Sequence, residues 1–578
     1  MKKLIIYIFF VLLVCKAIGQ INDNSNVLNV PMEQVFMHYN TNFLISGDQL
    51  YFRIYCLNKE TKKLSDLSKI AYVELVNSDL KLIFKRKIRL EKGLGQGDYF
   101  LPSDIPSGNY KLLAYTQWMK NASVSSFFQD DVVIINPFQS NQKAVFETVN
   151  LTSEQTQQMN RTESSPVDIN ENIDIAISKP IFANRELVSF QLVSPQLLYG
   201  NYSLSVRKVE QIHLPAPLHA SSILSGSGKD HLIIHSTNET YAIPELRGEL
   251  IKGNVTFTKN GLPANDVDIA LSIPDENFVF KISKSDQKGD FYFNLDKEYQ
   301  SDLALIQIMD NEDNTYRFDI EDANAIDYST LKFGRFSLDE ELKEMILEHS
   351  IYNQIQNAFA SSHIDQYADV ENHTIFFNEP TYEYLLDDYT RFPTVRETIL
   401  EVVEPAYTRR NKDKYSINVR VYKEQFEDGL ETLLLVDGLF IEDHTAIVNS
   451  RASKIKKISI FNKPYIYGSK MFKGIVYMES FDRDYIETIP ELKSRSFTLS
   501  RPQQHKDYFQ IDYSNPQSRK RIPDNRLQLY WNPDVQIDTN TSAYHFYTSD
   551  LKGDFEIVLQ GISKNGTPVT MTKTFTVR

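Results

Sequence analysis

The chain has 578 residues, which exceeds what one hydrophobic core can hold, since single cores stop growing near ~250–300 residues. At roughly 100–150 residues per domain, we expect four to six domains. A composition of 42% apolar and 24% charged residues excludes a disordered or collagen-like chain. The net charge of −14 argues against nucleic acid as a ligand, because phosphate neutralisation needs clustered cations.

The N-terminus has the pattern of a secretory signal peptide. Lys2 and Lys3 precede the apolar run Leu4–Cys15, and Ala17-Ile18-Gly19 places small residues at the positions that a signal peptidase recognises. The run is too short for a transmembrane helix. We therefore expect residues 1–19 to be removed on export. Lipidation of Cys15 stays open as an alternative, although a lipoprotein signal needs a small residue before the cysteine.

Loss of Cys15 would leave Cys56 as the one cysteine of the exported chain, so stability must come from packing rather than from a disulfide. Cys56 ends the strand-like run Leu50–Cys56. The pattern predicts a small buried strand residue rather than a reactive thiol.

Strand-like runs separated by turn sequences fill most of the chain. One helix is predicted from Ser337 to Phe359, with Ser337 as the N-cap and Glu340 as its capping-box partner. The predicted fold class is mainly β: a string of immunoglobulin-like β-sandwiches with a short helical segment and a small α/β domain. The predicted units are a signal peptide (1–19), a sandwich (28–138), a linker (139–172), a sandwich (173–246), a sandwich (247–330), a helical or irregular connector (331–412), an α/β domain (413–482) and a C-terminal sandwich (500–578).

An ordered set of short motifs runs through the first two predicted sandwiches: Val35–Tyr39, Ser46–Asp48, Tyr51–Tyr55, Ser107–Tyr110 and Ala114–Met119 in the first, and Ser203–Arg207 in the second. They resemble the macroglobulin-type domains that bacteria of the Bacteroidetes kind attach to exported proteins. Pro244–Glu249 together with Ser285–Phe291 resembles the carboxypeptidase-regulatory-like sandwich, a small non-catalytic module.

A second ordered set of motifs comprises Leu433–Phe440, Ile455–Ile460, Tyr467-Gly468 and Gly474–Met478. It resembles the plug domain of TonB-dependent outer-membrane receptors; the alternative is an ordinary α/β segment with an Asp-Gly turn. A receptor barrel needs about 22 strands of ~10 residues. Because 98 residues follow Ser480, we expect a plug-like domain without a barrel.

The turns of this α/β domain would be free to contact a partner if no barrel surrounds them. The charged and aromatic residues predicted to form a docking surface are Asp437, Phe440, Lys463, Tyr465 and Tyr467. Gly438 is predicted at positive φ, with Asp437 in a structural role.

Motifs for catalysis and metal binding are missing from the sequence. The Cys-Gly-Glu-Gln thioester that the macroglobulin resemblance would imply is not present. His231 and His235 stand four apart without a third ligand, and no H-E-x-x-H occurs. Asp310–Asn314 lacks the spacing of a calcium-binding EF-hand and favours a solvated turn. We predict no enzyme activity, no cofactor and no metal site.

The expected function is therefore that of a non-enzymatic binding or scaffold protein associated with the outer membrane, in the periplasm or at the cell surface. The resemblances imply an accessory subunit of an outer-membrane transport or assembly complex. Its partners would be an integral outer-membrane β-barrel protein, lipoproteins or both, and no transmembrane segment of its own is predicted. The alternatives are a stand-alone surface binder of polysaccharide or peptide ligands and, third, a hydrolase with an unrecognised site.

Overall fold

A computed structural model describes residues 28–142, 145, 173–210, 212, 214–224, 232–234, 241–311, 313–321, 326–334, 340–368, 377, 379–421, 429–488, 496–514 and 522–578. The predicted signal peptide, nearly all of the predicted linker and the predicted helix cap Ser337 lie outside these residues. Within them the fold is mainly β, which confirms the predicted fold class. The described residues form three β-sandwiches and one α/β unit.

The secondary structure elements of the first 320 residues are mostly strands. They are β1 (Leu28–Val30), β2 (Glu33–Tyr39), β3 (Phe43–Ile45), β4 (Gln49–Asn58), β5 (Ile70–Asn77), β6 (Leu82–Arg89), β7 (Leu94–Phe100), β8 (Gly108–Thr116), β9 (Phe128–Ile135), β10 (Asp174–Ile177), β11 (Ile181–Phe182), β12 (Leu187–Val193), β13 (Gly200–Lys208), α1 (Ala220–Leu224), β14 (Leu232–Ile234), β15 (Glu249–Phe257), β16 (Asp268–Ile273), β17 (Val279–Lys284), β18 (Asp290–Leu295), β19 (Leu303–Ile308) and β20 (Tyr316–Ile320).

The remaining elements include the longer helices. They are α2 (Lys343–Ala358), β21 (Gln366–Tyr367), β22 (Tyr382–Leu385), α3 (Val395–Glu401), β23 (Ala406–Asn411), β24 (Lys414–Val419), β25 (Thr432–Val436), β26 (Leu439–Phe440), α4 (Thr445–Asn449), β27 (Ile455–Phe461), β28 (Tyr465–Tyr467), β29 (Lys470–Phe472), β30 (Gly474–Ser480), β31 (Ser496–Thr498), β32 (Pro502–Gln503), β33 (Lys506–Asp507), β34 (Gln528–Ile537), β35 (Thr541–Tyr547), β36 (Gly553–Ser563) and β37 (Pro568–Val577). Short 3-10 turns occupy Gln117–Asn121, Val124–Ser126, Gln196–Leu198, Tyr328–Thr330, Glu340–Leu342, Ala360–Ser362, Leu386–Asp388, Ala452–Lys454 and Tyr485–Thr488.

Sandwich A is formed by strands β2 to β9. The sheet β2-β4-β7 packs on the sheet β3-β9-β8-β5-β6, and large aromatic side chains such as Phe36, Phe52 and Tyr115 fill the space between them. Along β4, Leu50, Phe52 and Ile54 lie in this core at alternate positions, and from Phe52 to Leu57 the strand is buried on both faces. Cys56, at the end of that strand, is fully buried, and burial raises the pKa of its thiol well above the ordinary value. The prediction of a buried structural cysteine is confirmed.

Sandwich B is assembled from two distant parts of the chain. Strand β13 pairs on one side with β34 and on the other with β36, while β12 pairs with β35. The prediction of two separate sandwiches at 173–246 and 500–578 is therefore wrong: 173–208 and 527–577 share one core. Neither half has enough strands to cover both faces of a core alone. The Arg185 guanidinium, which donates to Asp550 Oδ1 and Oδ2 at 2.6 and 2.5 Å, also joins the halves.

Sandwich C packs the sheet β18-β15-β20 against the sheet β17-β16-β19. The core between these two sheets includes the buried side chains of Val255, Leu271, Phe291 and Phe293. The tight turn before β18 uses Gly289 at φ 80°, as the Asp-Gln-Lys-Gly sequence predicts. Sandwich C and the α/β unit together form an insertion between the two halves of sandwich B.

The α/β unit spans 379–488 and begins earlier than the predicted boundary at 413. Its sheet has the order β22-β27-β30-β25-β26, so β22, α3 and β23 belong to this unit and not to the predicted connector. Helices α3 and α4 cover one face of the sheet. The other face packs on sandwich C, which explains why all five residues of β25 are buried and apolar but for Thr432.

A strap of residues 496–507 ties the units together. Its first strand, β31, joins β19 of sandwich C, and β32 joins β6 of sandwich A in parallel. At its end, Lys506 Nζ lies 2.8 Å from Asp98 Oδ2 and 2.7 Å from Asp365 Oδ2 in a nearly buried position. The strap therefore connects sandwich A with sandwich C, so the sandwiches of this chain are interlocked.

Candidate functional site

The hairpin β28–β29 has one face inside the protein and one face in solvent. On the inner face, Tyr467 stacks on Phe280 of sandwich C with ring centroids 5.6 Å apart, and its hydroxyl donates to the Phe280 carbonyl. On the outer face, Ile466 and Met471 are directly opposite in register and are 70% and 45% exposed. Two facing apolar side chains at this exposure form a compact apolar tip.

Two ionic or polar contacts fix the hairpin to sandwich C. Lys470 Nζ lies 2.5 Å from Asp310 Oδ2, and the Ser469 hydroxyl donates to Asp268 Oδ1 at 2.5 Å. Since the inner face is also packed, the outer apolar pair is presented from a supported position rather than from a loose loop.

The five residues predicted as a docking surface are divided between the interior and solvent. Lys463 is exposed, and Tyr465 and Tyr467 are half-buried. Asp437 and Phe440 are buried, which corrects the expectation that their side chains are available to a partner. The physical reason is that sandwich C covers this face: the Phe440 ring lies 6.0 Å from that of Phe280. We call the exposed hairpin surface, formed by Lys463, Ile466 and Met471, the hairpin tip.

Asp437 and Gly438 form the two-residue turn between β25 and β26. Their φ angles of 51° and 85° are both positive, as a type I′ turn requires, and the predicted positive φ of Gly438 is confirmed. The Asp437 carboxylate accepts from Ser480 N–H at 2.7 Å and from the Ser480 hydroxyl at 2.6 Å. Burial raises its pKa, while these hydrogen bonds oppose the rise. Asp437 thus fastens the turn to the end of β30.

A buried junction that the sequence analysis missed joins sandwich A, sandwich B and helix α2. His349 Nε2 lies 2.9 Å from Asp48 Oδ1, and His349 Nδ1 lies 2.8 Å from Glu210 Oε1. Asp48 follows Gly47 in a turn of sandwich A, and Glu210 follows the end of β13. The one local sign of this junction in the sequence is that a polar residue, His349, lies on the apolar face of the predicted helix.

The charges of this junction determine its protonation. Burial lowers the pKa of His349, but Asp48 and Glu210 outweigh that effect and raise it to about 9. Burial opposes ionisation of the two carboxylic acids, yet the imidazolium lowers the pKa of both Asp48 and Glu210. The junction is an ion triad at neutral pH, and it holds together elements that are far apart in sequence.

A second buried polar cluster lies between sandwiches A and C. The Tyr72 hydroxyl donates to Glu245 at 3.0 Å, Tyr299 donates to Glu249 at 2.6 Å, and Lys87 pairs with Glu249. Burial raises the pKa of Glu245 to about 7. The Lys87–Glu249 pair joins β6 of sandwich A to β15 of sandwich C, and Tyr72 of β5 bonds Glu245 just before β15, whereas Tyr299 supports Glu249 from within sandwich C. The cluster therefore stabilises the interface of the two sandwiches.

One pair has the residue types of a nucleophile and a base. His38 Nδ1 lies 2.6 Å from Ser203 Oγ, at the contact of sandwiches A and B. Both residues are buried, and Tyr55 also donates to Ser203 Oγ at 2.9 Å. Burial, together with His219, lowers the pKa of His38 to about 3. A substrate cannot reach this hydroxyl without separating two sandwiches, so the pair joins them.

The described ranges contain neither a cluster of metal ligands nor a helix that could span a membrane. There, no group of three or more His, Cys, Asp or Glu side chains is arranged to hold a metal ion. His231, His235 and Glu312 lie outside the residues that the structure describes. In the same part of the chain, no helix combines the length and the apolar character needed to cross a bilayer.

Comparison with known proteins gives structural similarity only. No protein-family model matches the sequence, and no curated protein matches it. Solved structures that are similar include alpha-2-macroglobulin of Escherichia coli activated by porcine elastase (9% identity, 94% of this chain and 44% of that chain, TM-score 0.24) and alpha-2-macroglobulin of Salmonella (11%, 96%, 40%, 0.23). Dimeric latent PorU of Porphyromonas gingivalis matches half of the chain (10%, 50%, 34%, 0.14).

The first two neighbours are bacterial alpha-2-macroglobulins, and the TM-scores of all three are too low to assign this chain to a family. The chain spans less than half the length of the macroglobulins that it matches.

Proposed function

We propose that this chain is an exported, non-enzymatic scaffold protein that acts at the outer membrane as an accessory subunit of a transport or assembly complex. Its partner in this proposal is an integral outer-membrane β-barrel protein, with or without lipoproteins. The motifs that resemble a TonB-receptor plug and macroglobulin-type domains support that setting. The fold and the buried ion triad support a rigid binding body.

The observation that carries the proposal is the hairpin tip. Ile466 and Met471 expose apolar area on a hairpin whose other face is packed and ion-paired to sandwich C. Exposed apolar side chains presented from a fixed backbone are what protein interfaces use as anchors. The interlocked sandwiches favour binding over catalysis, because the buried titratable groups already bond one another.

We expect extraction of envelope membranes in mild detergent to recover the native chain in a heteromeric assembly that contains an integral outer-membrane β-barrel protein. The double variant Ile466→Asp, Met471→Asp should lower the thermal melt only slightly, because the two side chains are 70% and 45% exposed and the facing carboxylates repel each other weakly in solvent. It should reduce recovery of the assembly at least tenfold. Size-exclusion chromatography with mass spectrometry measures both.

The matched control is Leu262→Asp, which charges an apolar side chain 59% exposed in sandwich C. It should leave the assembly intact. Recovery of the unaltered chain only as a free monomer, under conditions that preserve other envelope complexes, would contradict the proposal. A monomer that bound polysaccharide or peptide would instead support the stand-alone alternative.

A further inference from the structure

Strand β22 is an open edge of the sheet in the α/β unit. It pairs with β27 on one side, and among the described residues no strand pairs with its other side. The opposite edge, β26, packs against sandwich C, where the Phe440 N–H donates to Ser272 Oγ at 3.0 Å. In an antiparallel strand, alternate residues point their N–H and C=O groups outward. An edge of this kind is a template for another strand.

Apolar and aromatic side chains flank this edge. Tyr382 is 39% exposed, Leu385 is 44% exposed, and Tyr389, just beyond the strand, is 44% exposed. The Tyr384 and Tyr389 rings lie 5.9 Å apart, which gives the edge a continuous aromatic border. Strand addition gains affinity from main-chain hydrogen bonds and specificity from side-chain contacts of this kind.

The edge is acidic. The stretch 379–389 carries four carboxylates, at Glu379, Glu383, Asp387 and Asp388, and no lysine or arginine. Lys457 lies 3.5 Å from Glu383 and Arg391 lies 2.5 Å from Asp387, so an acidic excess remains. Two copies of β22 brought edge to edge would repel each other, since like charges directly opposite are destabilising. A basic segment matches the charge.

The edge strand pairs with the strand from which the chain runs on to the hairpin tip. Tyr382 is in register with Ile460, close to the end of β27 from which the chain continues to Lys463. A partner that contacts the hairpin tip can therefore reach β22 with an adjoining extended segment.

We propose that β22 accepts an extended, basic segment of the partner protein by antiparallel or parallel strand addition. This inference rests on the proposed function, because it names how the docking partner is held. The segment contributes a strand next to β22. Its alternate apolar side chains lie on the face of the sheet that carries Tyr382, and its lysine or arginine side chains lie on the opposite face, beside Glu383.

The test uses the purified full-length chain and a fluorescein-labelled twelve-residue peptide in which lysine alternates with valine or threonine. Fluorescence anisotropy should show saturable binding. The variant Glu379→Lys, Asp388→Lys should weaken binding at least tenfold, whereas Asp174→Lys, Asp538→Lys, which reverses two exposed charges of sandwich B, should not. Equal binding by both variants would overturn the proposal.

Main-chain pairing is tested separately. Peptides methylated on alternate backbone nitrogens should bind when one set of positions is blocked and fail when the other set is blocked; equal binding of the two peptides would overturn strand addition. Leu385→Pro, at a φ of −78° that proline tolerates, should also weaken binding, with the melt as a check on folding. Because Ile466→Asp, Met471→Asp should still bind the peptide, loss of the assembly and loss of edge pairing are distinguishable.

Discussion

Replacing His349 with alanine is expected to lower the free energy of unfolding by about 3–5 kcal/mol, the usual cost of removing one partner from a buried ion group. The variant leaves Asp48 and Glu210 buried and facing each other without the imidazolium that lies 2.9 and 2.8 Å from them. Sandwich A, sandwich B and helix α2 all contribute to the junction, so we expect their unfolding transitions to shift together.

Urea unfolding monitored by circular dichroism measures this loss. The matched control is Leu347→Ala on the same helix: that side chain is 57% exposed, and its truncation should cost less than about 1 kcal/mol. A cost for His349→Ala no larger than for Leu347→Ala would show that the triad contributes nothing to the fold.

The same junction makes stability depend on pH. The pKa of His349 is raised from 6.5 to about 9 in the folded chain, so its stabilising contribution is complete below pH 6.5 and is lost as pH rises through 9. We expect the melting temperature of the unaltered chain to fall between pH 7 and pH 10, and the fall to be smaller in His349→Ala. Identical pH profiles of the melting temperature for the two chains would show that the His349 imidazolium does not cause the pH dependence.

Gly438→Val is expected to destabilise the α/β unit by about 2–3 kcal/mol, because it adds backbone strain at positive φ to overpacking. Gly438 has φ 85°, and a Cβ there would lie 2.3 Å from Phe278 Cβ in sandwich C. Phe278 is buried in the interface of the two units, so neither side can move without breaking other contacts.

Two control variants separate backbone strain from the clash with Phe278 and test the role of Asp437. Gly429 has φ 142° and open space around it, so Gly429→Ala tests backbone strain without a clash and should cost less than Gly438→Val. Asp437→Asn keeps an acceptor for Ser480 and a side chain that tolerates positive φ, so the melt and the assembly should be nearly unchanged. Loss of the assembly in Asp437→Asn at an unchanged melt would make Asp437 a functional residue.

Local patterns predicted most individual strands, because alternation and turn residues are local properties. The apolar run of β25, the turn at Gly438 and the burial of Cys56 follow from neighbours in sequence. Helix α2 also lies where its periodicity predicts, with a 3-10 turn at Glu340–Leu342 before it.

Pairings between distant strands could not be read in this way. Nothing in Ser203–Arg207 indicates that β13 needs β34 and β36 as neighbours, since a half-sandwich and a whole one share the same alternation. The predicted docking surface was wrong for Asp437 and Phe440 because their burial depends on residues distant in sequence: Asp437 is bonded to Ser480, and sandwich C packs on Phe440. The charged state of His349 depends on Asp48 and Glu210, which come from other units and are distant in sequence.

Site-specific photo-crosslinking in intact cells tests most directly whether this chain binds a partner through the hairpin tip. A photoreactive phenylalanine analogue at position 466 should yield a crosslinked product containing an integral outer-membrane β-barrel protein. The same analogue at position 262, an exposed apolar site in sandwich C, should not. Crosslinks of equal yield to the same protein from both positions, or none from position 466 in an assembled sample, would contradict the claim.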